Sequence, residues 1–154
     1  DPKDHVDYFL ERVYPLKTLL GPILVQLPPN WKRNINRLEE FLRVLPADLR
    51  WAVEFRDTDW LHEETYEVLR RFNISLVIHD MIPDHPRIIT SNWIYMRYHG
   101  HNYSGSYTDA ELKSIADGIR DHTSHGRDVF VYFNNDLGGH AIRNALSLKK
   151  ILKL

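Results

Sequence analysis

The chain has no cysteine among its 154 residues, which excludes disulfides, thiolate metal sites and a cysteine nucleophile. It also has almost no net charge. Twenty basic and 21 acidic side chains leave −1, so nothing pulls the whole molecule toward nucleic acid or an anionic membrane. No apolar run approaches the ~20 residues needed to span a bilayer, and no basic-then-apolar secretory signal opens the sequence. These absences suit a cytoplasmic protein that makes no membrane contact. Gly-rich nucleotide fingerprints, P-loops and nucleophile elbows are missing too. What remains, 43% hydrophobic and 27% charged, fits one soluble globular domain or part of a larger one. The opening DPKDHVDYF has no methionine and reads as a helix entered in mid-protein, as in a protein fragment.

Five short apolar runs are present, and each ends in polar residues: PILVQL at 22–27, WAVEFR at 51–56, SLVIHD at 75–80, WIYMRYHG at 93–100 and DVFVYFNND at 128–136. A buried strand that ends this way is where an α/β protein places its working side chains, at the carboxyl edge of the sheet. Between the runs the period turns helical. The stripes are Val6-Phe9-Leu10-Val13, Ile35-Leu38-Leu42-Leu45, Leu61-Thr65-Val68-Leu69-Phe72, Leu112-Ile115-Ala116-Ile119 and Ile142-Ala145-Leu146-Leu152. Thr108 with Glu111 predicts a capping box for the fourth helix. Only 81–92, with its DMIPDHP chemistry, lacks a helical pattern.

Strands joined by crossover helices run parallel, which leaves an open doubly wound sheet or part of a (β/α)₈ barrel. Side-chain parity chooses between them. Ala52, Glu54 and Arg56 share one strand face, as do Tyr95, Arg97 and His99. In an open sheet such rows would be buried against a helix, whereas in a barrel they point into the lumen. The expectation is therefore a partial TIM-type α/β barrel, with residues 1–154 forming a single domain that is its C-terminal portion. Five strands cannot close a barrel, so about three more are expected upstream of Asp1. Without them, Ile23–Leu27 and Val129–Phe133 would be bare edges with apolar faces, an aggregation hazard.

LGPILVQLPPNW at 20–31, AVEFRDTDW at 52–60, YMRYHG at 95–100 and VYFNNDLGGHAIRNAL at 131–146 together resemble the YecE-like proteins, the domain-of-unknown-function 72 family. The resemblance runs from about Leu10 to Leu152. It implies a TIM-type barrel whose full length includes an N-terminal segment with a Gly-Trp-containing first strand, and it implies no established reaction. Asp59 stands where a small Ser is common in the family.

The strand ends supply the candidate site. Arg56 and Arg97 can hold a phosphate or carboxylate through bidentate contacts. Glu54 and His99 are the expected proton-moving groups, His99 because imidazole titrates near neutrality. His79 and Asp80 are adjacent, so only one faces the lumen; Asp80, at the strand end, is expected there as a third catalytic group. Asn134, Asn135 and Asp136 precede Gly138-Gly139 and a helix, a phosphate-binding arrangement in TIM barrels. Gln26 is a further ligand candidate. Each position has a structural alternative: an internal Glu54–Arg56 ion pair, N-capping by Asp136, a rigid turn at Gln26.

A divalent metal is conceivable on Glu54, Asp80, His99 and His101, but two arginines in the same lumen would repel it, and no cofactor is expected. Tyr98, Tyr103 and Tyr107 flank His99 and His101, and aromatics beside Arg can stack bases. The leading expectation is an enzyme that binds a small anionic, possibly phosphorylated, ligand and uses acid–base chemistry. The alternatives are a nucleic-acid-binding or metal-dependent nuclease-like barrel, and a non-catalytic structural or binding domain.

Overall fold

In the computed structural model, which describes residues 2–101 and 105–154, five α-helices and five strands alternate except that β4 follows β3 without a helix between them. The order is α1 (Pro2–Val13), β1 (Ile23–Gln26), α2 (Ile35–Arg43), β2 (Trp51–Glu54), α3 (Glu63–Arg71), β3 (Ser75–His79), β4 (Trp93–Tyr98), α4 (Asp109–Ser124), β5 (Asp128–Phe133) and α5 (His140–Leu152). All strand pairs are parallel, and the sheet keeps chain order, β1-β2-β3-β4-β5. A doubly wound sheet would reverse strand order at a switch point. This one does not.

The sheet curls, and its side chains show how far. Arg50, just ahead of β2, reaches Asp128 at the start of β5, with Nη2 to Oδ2 at 2.5 Å. At the other end, Arg97 Nη1 of β4 reaches Gln26 Oε1 of β1 at 3.2 Å. Adjacent strands sit ~4.8 Å apart, so strands three places apart in a flat sheet would be separated by roughly 14 Å. Contacts of this reach at both ends make the sheet a half-barrel with one concave face.

Parity sorts the side chains between the two faces. Val53, Phe55, Leu76 and Leu42 belong to one outer core, where α2 and α3 cover β1 to β3. Ile94, Met96, Leu112, Ile115 and Leu148 form a second, under α4 and α5. The alternate residues Ala52, Val77, Trp93 and Tyr95, with Leu24 and Phe130, pack as one layer from all five strands on the concave side. Burying apolar surface of this kind contributes ~25 cal/mol per Å² and supplies most of the favourable energy of folding.

Side-chain caps start three of the helices. Thr108 and Glu111 form the expected capping box on α4, Asn34 caps α2 through the Arg37 amide, and the His62 ring caps α3 through the Glu64 amide. Residues 81–92 carry no helix. β2 and β3 are buried throughout, whereas β1 and β5, the two edges, are only half-buried. Among the described residues, no helix is long and apolar enough to cross a membrane.

Candidate functional site

The carboxyl ends of β1, β2, β4 and β5 bring five of the expected residues together on the concave face. Glu54 lies at the centre with no solvent exposure. Its Oε1 accepts from Arg56 Nε at 3.0 Å and its Oε2 from Arg97 Nη1 at 2.5 Å. Gln26 Oε1 accepts from Arg56 Nη2 at 2.8 Å as well as from Arg97. Asn134 Oδ1 accepts from Arg97 Nε at 3.1 Å, and its own amide is fixed by the Tyr98 carbonyl at 2.7 Å.

Two guanidinia against one carboxylate leave this cluster net positive. Both Glu54 oxygens are engaged, so the carboxylate's place is to aim the guanidinia. Among the described residues, Nη1 of Arg56 and Nη2 of Arg97 donate to no protein acceptor, and the two side chains are 30% and 13% exposed. Those two nitrogens are the donors left for a ligand. Tyr132, half-exposed on the same face, stacks on Tyr95 at 4.8 Å. Burial and that neighbour push the Tyr95 hydroxyl up to about 12.

At the end of β3 the expected faces are exchanged. His79, not Asp80, shares the concave parity of Val77, and it is buried. A strand buried on both sides gives no polar–apolar contrast by which to read its faces, so strand-end position misleads here. His79 Nδ1 accepts from the Met81 amide at 3.2 Å, which leaves Nε2–H to donate to the Phe55 carbonyl at 2.9 Å. Its ring lies 4.2 Å from that of His85, in the loop after β3. Burial holds His79 below the ordinary imidazole range. Burial, with the His79 ring beside it, pulls His85 down to about 4. Neither histidine stood out in the sequence as a site residue; the Val77–His79 spacing is the signal that carries the first of them.

Asp80 instead ties the strand ends to the loop after β4. Its Oδ1 accepts from the His99 amide at 2.8 Å and lies 3.4 Å from His99 Nδ1, and its Oδ2 accepts from the Tyr107 hydroxyl. Burial raises the Asp80 carboxyl, but the bonds from His99 and Tyr107 together outweigh it and hold the group at about 2. Tyr107 is raised in turn by burial and by that carboxylate. His99 is buried beside Asp80, forming an imidazole–carboxylate pair. Of the expected aromatic loop, Tyr98 and Tyr107 pack edge to face at 5.6 Å, and Tyr103 lies outside the described residues.

The 134–136 turn divides by role. Only Asn134 joins the guanidinium cluster. Asn135 is fully buried, with Nδ2 donating to the Gly105 carbonyl at 2.8 Å and to Asn144 Oδ1 at 2.9 Å. It pins the loop rather than facing the mouth. Asp136 is exposed and makes no side-chain cap; its carbonyl accepts from the Gly139 amide at 2.9 Å. Among the described residues, no group of three or more His, Asp or Glu side chains comes together to hold a metal ion.

The family model for "Protein of unknown function DUF72" matches residues 1–154. The UPF0759 protein YunF of Bacillus subtilis is 26% identical, over 88% of this chain and 58% of its own length. A crystal structure of a DUF72 family protein from Thermotoga maritima superposes with a TM-score of 0.91 at 31% identity, covering 100% of this chain and 66% of that one. A DUF72 family protein from Enterococcus faecalis superposes at 0.86 with 24% identity, covering 100% and 67%, and supports the fold alone. The chain belongs to the DUF72 family. It spans 58% of the length of the curated relative it matches.

Proposed function

We propose that this DUF72 member binds a small anionic ligand, a carboxylate or phosphate, at the concave mouth, and that acid–base chemistry on that ligand is its reaction class. The observation that supports the reading is the guanidinium pair. Arg56 and Arg97 come from different strands, are aimed by one buried carboxylate, and each keeps an unengaged nitrogen at the mouth. The second arginine leaves the cluster with net positive charge that an outside anion would neutralise, and partial burial strengthens its pull. Glu54, Gln26 and Asn134 orient the arginines, while His99, paired with Asp80, is the imidazole that serves as the proton-transferring group.

Calorimetric titration with inorganic phosphate tests the reading. Saturable binding is expected at low salt, weakening as salt rises and as Arg97 is changed to Gln. Binding that survives both Arg56→Gln and Arg97→Gln would place the anion elsewhere. No binding, with a large loss of stability in the same variants, would make the cluster a structural brace.

A further inference from the structure

His85 occupies a position that the guanidinium cluster does not explain. It sits in the loop after β3, with its ring packed 4.2 Å from His79 on the concave side. Nδ1 lies 3.0 Å from the carbonyl of Pro86, its own neighbour, and a carbonyl can only accept. That contact places the proton on Nδ1 and leaves Nε2 as a bare lone pair. Nε2 is buried and has no partner among the described residues. A buried acceptor left without a donor is costly, and a hydrogen donor on a ligand would relieve it. His79 cannot supply one, because its single N–H already serves the Phe55 carbonyl. His79 is held at 2.9 Å to the carbonyl of Phe55, the residue between Glu54 and Arg56, and His85 packs on it, so the histidine pair borders the anion cluster. A neutral imidazole whose pKa lies near 4 stays an acceptor throughout the physiological range.

We infer that His85 is a second contact for the bound ligand, accepting a hydrogen bond from a hydroxyl group, and that the ligand is therefore a hydroxyl-bearing anion such as a hydroxyalkyl phosphate or hydroxycarboxylate. This inference rests on the anion reading above and narrows it. A site built to receive a hydroxyl rejects the analogue that lacks it, because the buried acceptor is then left unpaired.

The test uses two probes that differ in hydroxylation, glycerol 3-phosphate and n-propyl phosphate, titrated into the full chain. The wild type should prefer glycerol 3-phosphate by about tenfold, the equivalent of one hydrogen bond. His85→Phe, which keeps a ring against His79 but has no lone pair, should bring the ratio close to one while leaving n-propyl phosphate binding unchanged. On the wild type, nitrogen NMR of histidine should show the His85 Nε2 resonance moving with glycerol 3-phosphate and staying in place with n-propyl phosphate. That readout decides even where the variant fails to fold. Equal affinities in the wild type, a preference that survives in His85→Phe, or an unmoved Nε2 resonance would overturn the role of His85 and leave the anion site standing. Failure of both probes to bind, or binding indifferent to Arg97→Gln, would overturn the anion reading and this inference with it.

Discussion

Glu54 has no exposure and answers two guanidinia at once, so its removal leaves positive charge facing positive charge. Breaking a buried pair from one side typically costs about 3–5 kcal/mol. Glu54→Gln should lose stability of that order in urea denaturation, far more than Arg70→Gln, whose exposed pair with Glu63 should change it by less than about 1 kcal/mol. The histidines set a pH dependence. An imidazole held below its ordinary 6.5 in the folded state favours folding above that pH, because on acidification the unfolded chain takes up a proton that the folded chain refuses. Stability should therefore fall as pH drops from 6.5 toward about 4, and His85→Phe should flatten that limb. Asp80 acts lower down, its contribution being lost from about 3.8 toward 2, so Asp80→Asn should flatten only the most acid part of the curve. Denaturant midpoints measured across pH check both.

At the scale of the element, what was legible depended on how local the cause was. The capping box on α4 involves three consecutive bonds of one turn and was readable from Thr108 and Glu111. Thr108→Ala should cost about 1 kcal/mol in the same denaturation assay. The concave row of β4 was readable because Arg97 contrasts with Ile94 and Met96. β3 offered no such contrast, and its parity was settled only by packing. Asn135 looked like a ligand at a helix start, yet its partners Gly105 and Asn144 come from distant segments that no spacing rule connects. The same loop explains Gly100. Its φ is +81°, and an added Cβ would lie 2.4 Å from the Gly105 carbonyl oxygen and 2.8 Å from Asn135 Cβ. Gly100→Ala should therefore lower the melting temperature markedly, whereas Gly118→Ala, with open space around it on α4, should raise it or leave it unchanged.

For the molecule as a whole, parity arguments on β2 and β4 were enough to choose a barrel segment over an open sheet, because a charged row cannot be buried beneath a helix. Strand order and curl agree with that choice. The residues that converge at the mouth were legible for the same reason: a curled sheet gathers the ends of all its strands on one side. Hydrogen exchange should report this layering, with β2 and β3 slowest and the edge strands β1 and β5 exchanging earlier. The central claim is that the concave mouth is an anion site made by Arg56 and Arg97. Its most direct test is a crystal structure of the protein grown with tungstate, a phosphate-shaped anion located by its anomalous scattering. The anion should lie within hydrogen-bond distance of Arg56 Nη1 and Arg97 Nη2, and the peak should vanish in Arg97→Gln. A mouth without tungstate, beside well-occupied peaks on surface lysines alone, would contradict it.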